Sequence, residues 1–541
     1  MEMAETKIRY ALWTFLLAAL LLCGAEGPAS AERKPLNYAW GRFLMDGHRT
    51  IEGLSPGGRK VQKIIDSCEE GMAEYARVVG YSPEAMRSHA PESPLSNWYA
   101  DLLMSQCERI TGQKVDLSLA NFGGVRVAMP KGEVTVDDIR SMFPFKNYIT
   151  LVRMRGDKLE ELFRWMASSQ WQIVGGVHIE ADASGLKKVE VGGQPIDPTA
   201  IYNIATINFL LRGGDGFYLE RDAVSVTVTQ VDQFTAVMNH LEELSSKGEP
   251  ISASCDGRIT VLDAPAPSAS SSRGPLQRIP EELSRKGRLT ILHTNDTHSH
   301  IKAIKAGKYA GMAGLTERAA FIDSVRLADG RRNVLVLDAG DFCQGTTYFS
   351  VFGGRPEVEG LNALGYDVVT VGNHEWDNGI DALPDLLKKA RFPVVLCNYK
   401  VDNPRLDKLL RPYTIIRRGG LKIGITGVLV DVTAAVESSI ASRLHYLDPV
   451  ESINSAAAQL RRKGCDLVIV LSHCGYTAKV GEPAGDLQIA PSLKGVDIII
   501  GGHTHTDLQE PTLVKGADGG DIIIATDFCW GIYVGELKLF K

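Results

Sequence analysis

The second half of this 541-residue chain alternates short apolar runs with amphipathic segments, and this alternation constrains the fold more than any other feature. The apolar runs are strand-sized and rich in β-branched residues, while the segments between them, such as 314–327 and 452–463, have helical spacing. Alternating strands and helices are typical of α/β architecture with a mostly parallel sheet. The alternation continues to the sequence VDIIIGGHTH, which ends at residue 505, and we therefore expect a layered α/β domain.

A segment rich in Pro, Ala and Ser separates this half from the first. Its centre reads APAPSASSSRG, and we interpret residues 263–287 as an interdomain linker. Residues 35–262 mix helix-like stretches, including 58–79, with strand-like segments and predict an α+β domain. Residues 288–541 form the predicted α/β domain, and the chain is in any case too long for one hydrophobic core.

The N-terminus has the pattern of a secretory signal. Lys7 and Arg9 precede an apolar run over 11–22, and small residues follow it as far as Ala31. The run is too short to span a bilayer comfortably, so residues 1–31 predict a cleaved signal peptide and export to the periplasm or the extracellular space. Lipid attachment at Cys23 is the alternative. No later run approaches membrane length, so we expect no membrane span in the mature protein.

Charge and cysteine content exclude some classes of partner and site. The formal net charge is −6 and no long block of Lys or Arg occurs, which argues against binding of a nucleic acid polymer. The cysteines beyond residue 31 are scattered, without the paired spacing of a zinc ribbon, and they leave the disulfide pattern open. Cys343 and Cys474 adjoin candidate metal ligands, and we interpret both as packing residues rather than nucleophiles.

Five of the strand-like runs end in potential metal ligands. A single Asp or His after a strand is more often a helix cap, a turn residue or a structural histidine. Five together favour a shared site, because layered α/β folds gather their strand ends along one edge. The candidate ligands are Asp296, His298, Asp341, Asn373, His473, His503 and His505.

The chemistry of these residues predicts two divalent metal ions. In an extended segment the side chains at i and i+2 leave on the same side, which suits the pairs within 296–298 and 503–505. Asp341 follows Gly340 and has two oxygens that can bridge cations roughly 3.5–4 Å apart. Asn373 offers a neutral oxygen. A set of imidazole, carboxylate and amide ligands without a required thiolate suits Zn, Mn, Fe or Co.

These motifs together resemble the calcineurin-like metallophosphoesterase superfamily and, within it, the 5′-nucleotidase family. The resemblance covers almost all of 288–541 and implies a four-layer α/β/β/α sandwich with a two-metal centre. It implies that Asp296, His298, Asp341 and His505 hold the first metal, and that Asp341, Asn373, His473 and His503 hold the second. It further implies that His374, held by Asp377, acts as general acid or electrostatic stabiliser. The motifs are DTH (296–298), GDFCQG (340–345), GNHEWD (372–377), SH (472–473) and GGHTH (501–505).

The first half resembles the nucleotide-recognition domain of the same family, through ESPL (92–95), NFGGVR (121–126), PF (144–145) and FLLRGGDG (209–216). The resemblance implies that Phe145 and Phe209 sandwich the base and that Asp215 lies near the ribose or base. It places Asn121 and Arg126 near the sugar and phosphate. Aromatic faces stack on any base, although both Phe residues could instead be core residues. The usual order of the two domains is reversed here.

The expected function is that of an exported two-metal phosphohydrolase that removes phosphate from nucleoside 5′-monophosphates. The same site could instead serve a 2′,3′-cyclic-nucleotide phosphodiesterase or a nucleotide-sugar pyrophosphohydrolase, because metals and base clamp would be shared. A nucleotide-binding protein with an inactive domain arrangement is the alternative of another class. The intact set of metal ligands argues against that last alternative.

Overall fold

The computed structural model describes residues 36–51, 53–262, 287–433, 436, 438–478 and 483–540. The predicted signal peptide, Cys23 and residues 263–286 of the predicted linker lie outside this part of the chain. Gly287, the last residue of the predicted linker, already begins a strand. Among the described helices, none combines the length and apolar character needed to cross a bilayer.

A seven-stranded sheet forms one layer of the C-terminal unit. Five neighbouring strands, from Gly287–Thr294 to Leu410–Arg411, run parallel. The C-terminal strand pairs antiparallel with both of its neighbours. In spatial order the strands are Tyr38–Leu44, Tyr533–Phe540, Gly287–Thr294, Val334–Asp338, Val368–Thr370, Val394–Val395 and Leu410–Arg411.

A six-stranded sheet packs on the first sheet. Its four inner strands run parallel, and each edge strand closes an antiparallel pair. In spatial order the strands are Tyr413–Arg418, Leu421–Leu429, Leu467–His473, Ile498–Gly501, Asp521–Ala525 and Thr512–Lys515.

Each buried strand contributes alternate side chains to two cores, because side chains alternate across a sheet. In Val334–Asp338, Leu335 and Leu337 face the six-stranded sheet, whereas Val334 and Val336 face helices. The outer helices of the first sheet are Pro56–Asp66, Leu315–Asp329 and Arg355–Leu364, and Pro449–Arg462 covers the second sheet. The C-terminal unit is therefore a four-layer α/β/β/α sandwich, as the family resemblance implies.

The N-terminal unit is α+β, also as predicted. A five-stranded sheet has the order Ala223–Asp232, Tyr148–Arg155, Ile201–Ile207, Leu117–Ala120 and Ile173–Gly175. A four-stranded sheet contains Ile259–Val261, Val177–Asp182, Gly185–Val191 and Gln194–Pro195. Strands Val78–Ser82 and Gly132–Thr135 form a separate pair. The main helices are Pro94–Thr111, Val136–Met142, Gly156–Ser168 and Gln233–Lys247.

The segment before residue 73 belongs to the C-terminal unit in space. Strand Tyr38–Leu44 pairs antiparallel with Tyr533–Phe540, and the buried residues Val61 and Ile65 pack into the core around helix Leu315–Asp329. These residues were expected from the sequence to belong to the recognition domain over 35–262. The difference arises because pairing between strands almost 500 residues apart leaves no signal in the local pattern.

The two units meet through polar contacts beside helix Val136–Met142. Lys305 Nζ lies 2.7 Å from Asp138 Oδ2, and Gln344 Nε2 donates to the Pro144 carbonyl oxygen at 3.2 Å. Ser141 Oγ and Thr347 Oγ1 are 3.4 Å apart. The loop that carries Phe145 is thus fixed against the loop that carries Asp341.

Candidate metal centre

The candidate ligands follow the carboxyl ends of strands in both large sheets, with tight turns at the junctions. Asp296 and His298 follow strand Gly287–Thr294, and Asp341 follows Val334–Asp338. The backbone is left-handed at these three residues, with φ of 49°, 45° and 54°. Such a conformation costs a non-glycine residue about 1–3 kcal/mol and tends to persist at functional sites. The backbone is also left-handed at His503 and His505, with φ of 78° and 50°. The extended geometry expected within 296–298 and 503–505 is therefore wrong, and turns bring the side chains together instead.

The turns bring all seven candidate ligands into one crevice. Ligand atoms of Asp296, His298 and His505 lie within 4.8 Å of one another, and so do those of Asp296, Asp341 and His473. His503 Nδ1 is 2.8 Å from Asn373 Oδ1, and its ring centroid is 5.3 Å from that of His473. Asp296 and Asp341 are both buried.

Neighbouring carbonyls orient two of the imidazoles. His298 Nδ1 donates to the Gln344 carbonyl oxygen at 3.2 Å, and His473 Nδ1 donates to that of Ala339 at 2.7 Å. The opposite nitrogen, Nε2, then points into the crevice in each ring. His298 Nε2 lies 2.9 Å from His505 Nε2, and His473 Nε2 lies 3.1 Å from Asp341 Oδ2.

The electrostatics of the crevice favour positive charge between these atoms. Burial acts to lower the pKa of His473, but Asp341 and Asp296 outweigh it and raise that pKa to about 10. Burial, together with the Arg126 guanidinium, holds the pKa of His298 well below its usual value, so this ring is neutral. Imidazole nitrogens and carboxylates that converge in this way form a donor set that fits divalent transition metals. The residues present therefore fit the metal centre that the fold implies.

His374 stands at the edge of the crevice and pairs with Asp377. Its Nδ1 is 2.9 Å from Asp377 Oδ2, and its backbone N–H donates to Asp341 Oδ1 at 2.8 Å. Burial acts to lower the pKa of His374, but Asp377 and Asp341 outweigh it and raise the pKa. The pair can hold a proton next to the candidate metal ligands.

Residues that the sequence analysis did not single out support the ligands from behind. Asn295 Nδ2 donates to Asp296 Oδ2 at 2.7 Å. Glu375 accepts the backbone N–H groups of Asp341 and Cys343 at 3.1 and 2.9 Å, and burial raises its pKa to about 8. Asn295 directly precedes the DTH motif and Glu375 lies within GNHEWD, so adjacency to a ligand was the available signal.

Two of the five predicted nucleotide-binding residues lie against this centre. The Phe145 ring is 5.5 Å from the His374 ring with an interplanar angle of 31°, and the Arg126 guanidinium carbon is 5.6 Å from the Phe145 centroid. Arg126 Nε and Nη2 are buried and have no hydrogen-bond partner among the described residues. Burial lowers the pKa of Arg126, while Cys529, Asp341 and Asp296 act in the opposite direction.

The other three predicted residues lie together in the N-terminal unit. Asn121 Nδ2 donates to Asp215 Oδ2 at 2.7 Å. Asp215 adopts a left-handed φ of 47° between Gly214 and Gly216. The Phe209 ring packs against Gly214, where an added Cβ would lie 2.7 Å from the ring. The loop over 209–216 therefore places Asp215 beside Asn121 and packs Phe209 against Gly214.

Comparison with known proteins agrees with this division of the chain. Residues 76–221 match the family model described as 5′-nucleotidase, C-terminal domain, and residues 289–507 match that described as calcineurin-like phosphoesterase. Snake venom 5′-nucleotidase from Gloydius brevicauda is 36% identical over 273 residues, which cover 46% of this chain and 45% of that protein. The 5′-nucleotidase of Bos taurus is 34% identical over 281 residues, which cover 47% of each chain.

Among solved structures, the 5′-nucleotidase precursor from Thermus thermophilus matches at 35% identity with a TM-score of 0.42, covering 47% of this chain and 53% of that one. This chain spans about half the length of the curated relatives it matches. The domain classified as C-terminal precedes the phosphoesterase domain here. The chain thus matches the models of a 5′-nucleotidase C-terminal domain and of a calcineurin-like phosphoesterase, in the reverse of the usual order.

Proposed function

We propose that this protein is an exported, two-metal phosphohydrolase that removes phosphate from nucleoside 5′-monophosphates. The position of Phe145 carries the proposal, because its ring lies 5.5 Å from that of His374 although the two domains are in reversed order. A base stacked on Phe145 would place its 5′-phosphate near the candidate metal ligands. The relatives in the comparison are named 5′-nucleotidases, which supports the same substrate class.

Asp296, His298, Asp341 and His505 would hold the first metal, and Asp341, Asn373, His473 and His503 the second. When bound, these ions would neutralise the phosphate oxygens and activate a water for attack on phosphorus. The mixed set of nitrogen and oxygen donors suits zinc, manganese, cobalt or iron.

The chain's own residues perform the remaining steps. The His374 imidazolium gives its proton to the ribose 5′-oxygen as the phosphorus–oxygen bond breaks, and Asp377 holds the ring in the required orientation. Arg126 presents buried N–H groups, unpartnered in the described part of the chain, to an oxygen of the sugar or phosphate. Phe145 and Phe209 bind the base by stacking, and Asn121 with Asp215 binds the sugar or base edge.

The experiment is hydrolysis of AMP, 2′,3′-cyclic AMP, UDP-glucose and an aryl phosphate by the purified full-length protein, before and after metal removal. Phosphate release follows the two monoesters, and chromatography of the nucleotide products follows the cyclic nucleotide and UDP-glucose. We expect AMP to be the best substrate and its turnover to depend on added divalent metal. Preference for a cyclic nucleotide or for UDP-glucose would replace the monophosphate assignment by a diesterase or pyrophosphohydrolase assignment.

Two variants and a matched control test the pairing of the domains. Phe145→Ala and Phe209→Ala should each weaken AMP turnover by roughly 5- to 150-fold, since stacking contributes about 1–3 kcal/mol per base. Aryl phosphate turnover should be unchanged. Tyr81→Ala removes an aromatic ring that is 55% exposed elsewhere in the N-terminal unit, and it should leave both substrates unaffected. If Phe145→Ala and Phe209→Ala turn over AMP as fast as Tyr81→Ala does, a base clamp at Phe145 is refuted.

Export is the second part of the proposal and rests on the sequence of residues 1–31. Expression of the full chain with its natural N-terminus should yield a protein outside the cytoplasm that begins near residue 32. Fatty acylation of Cys23, detected by mass spectrometry, would instead indicate a lipid-anchored form. Retention of residues 1–31 in the cytoplasm would overturn this part of the proposal.

A further inference from the structure

Arg42 is a buried cation in the strand Tyr38–Leu44, at the edge of the seven-stranded sheet. It pairs in register with Gly535, and its guanidinium carbon lies 4.1 Å from the centroid of the Tyr533 ring. Its side chain is 10% exposed. A guanidinium buried on an aromatic face needs acidic partners, and their positions indicate its role.

The acidic partners of Arg42 lie on two different loops. Nη2 is 2.7 Å from Asp507 Oδ1, and Nε is 3.4 Å from Asp527 Oδ1. Asp507 follows the candidate ligand His505 by two residues, and Asp527 follows strand Asp521–Ala525. The two loops also contact each other, because Phe528 N–H donates to the Thr506 carbonyl oxygen at 3.1 Å.

The loop of Asp527 leads directly to a second candidate ligand. Asp527 N–H donates to Asn295 Oδ1 at 2.8 Å, and Asn295 Nδ2 donates to Asp296 Oδ2 at 2.7 Å. Asp527 Oδ2 also lies 2.6 Å from His293 Nδ1. Arg42 thus touches one loop that carries His505 and another that orients Asp296.

We propose that Arg42 is a positioning residue for the metal centre, which holds His505 and Asp296 at the spacing that a cation requires. Its charge offsets the repulsion between Asp507 and Asp527, and the two ion pairs join their loops. Residues that support metal ligands affect the affinity for the metal ion because they fix the orientation of those ligands. The inference rests on the metal centre of the proposed function and on no particular substrate.

The test is the affinity of the metal-depleted full-length protein for Zn²⁺ and Mn²⁺, measured by competition with a chelator. Arg42→Met should weaken binding by about 10- to 100-fold, the usual range for loss of a residue that orients ligands. Arg42→Lys keeps the positive charge but not the planar guanidinium, and it should recover part of that loss. Asp507→Asn, on the exposed side of the pair, should weaken metal binding in the same direction as Arg42→Met.

Arg258→Met is the matched control. Arg258 has a side chain that is 9% exposed and lies between Asp101 and Asp256 in the N-terminal unit. Thermal unfolding of the metal-free proteins separates general destabilisation from loss of metal affinity. Metal affinities of Arg42→Met and Asp507→Asn within twofold of wild type would overturn the inference, as would an equal loss in Arg258→Met.

Failure of the proposed function gives a different result. A wild-type protein that binds Zn²⁺ or Mn²⁺ but releases no phosphate from AMP would overturn the nucleotidase proposal and leave the role of Arg42 intact. A wild-type protein that binds neither ion would overturn both. If Arg42→Met does not fold, Arg42→Lys and Asp507→Asn decide the question by the same criterion.

Discussion

Asp377 controls the orientation and charge of His374, so Asp377→Asn tests the assigned proton donor. Asp377 Oδ2 lies 2.9 Å from His374 Nδ1, with the two side chains 25% and 19% exposed. The substitution keeps an oxygen that can accept from Nδ1 but removes the negative charge. The His374 backbone stays fixed, because its N–H donates to Asp341 Oδ1. The change is therefore confined to the imidazole.

The magnitude follows from the kind of hydrogen bond that is lost. A hydrogen bond to a charged group contributes about 1.5–3 kcal/mol, and one between neutral groups about 1 kcal/mol. The difference is about 0.5–2 kcal/mol, and partial exposure of both side chains favours the lower part of this range. We expect kcat for AMP to fall by about 2- to 8-fold. His374→Ala removes the proton donor itself and should lower kcat by about 10²- to 10⁴-fold.

The assay compares two leaving groups on the same phosphoryl centre. The ribose 5′-alkoxide of AMP needs a proton, whereas the nitrophenolate released from p-nitrophenyl phosphate is a stable anion. Both variants should therefore lose kcat for AMP and keep most of their kcat for p-nitrophenyl phosphate. Equal losses for the two substrates would refute proton donation by His374 and would indicate a role in positioning the phosphate or the metals.

Three further substitutions test other parts of the structure. Burial raises the pKa of Glu357, which is 3% exposed, to about 7 from its usual 4.5. The folded state then binds the proton more tightly, so its contribution to stability is present below pH 4.5 and is lost as pH rises through 7. Glu357→Gln should therefore gain about 3 kcal/mol relative to wild type between pH 4 and pH 8 in denaturant titrations, and a pH-independent difference would contradict this. Gln344→Ala removes the hydrogen bond to Pro144 across the domain interface and should raise KM for AMP about fivefold but not KM for an aryl phosphate; equal changes would argue against it. Gly427→Ala would push a methyl group against the Val395 carbonyl between the two large sheets, so we expect about 1–3 kcal/mol of destabilisation by thermal unfolding, and a wild-type midpoint would count against this packing.

The layered part of the fold was predictable because its signals are local. Strands such as Leu467–His473 are continuous apolar runs, buried on both faces, and a polar ligand follows at the end of each. The helix expected over 58–79 was only partly right. The structure has helices Pro56–Asp66 and Glu69–Met72, and then a strand over Val78–Ser82 that pairs with Gly132–Thr135. That pairing is a tertiary contact, which overrides helical spacing.

The candidate ligands were recognisable because they combine a residue type with a position at a strand end. Asn295 and Glu375 could be recognised only from the ligands next to them in the sequence. Each acts by hydrogen bonds to the backbone or to a ligand, and such bonds leave no pattern of residue type at a strand end. Arg42 had no such signal. It lies more than 450 residues from Asp507 in sequence, and strand pairing with the C-terminal strand brings the two together.

The candidate site stays assembled although the domain order is reversed. The residues that join the two domains lie within each domain and not at the junction between them in the sequence. Lys305 with Asp138 and Gln344 with Pro144 pair residues well inside the two units, so these surfaces meet irrespective of which domain comes first in the chain. The N-terminal strand adds a second constraint, since residues 38–72 pack with the C-terminal unit before the chain enters the recognition domain. The chain therefore leaves the C-terminal unit after residue 72 and is in it again at Gly287. Two covalent connections limit the relative positions of the units more strictly than one, because each additional connection removes arrangements that the other allows. Apposition of Phe145 and His374 is thus favoured by the connectivity of this chain as well as by its interface.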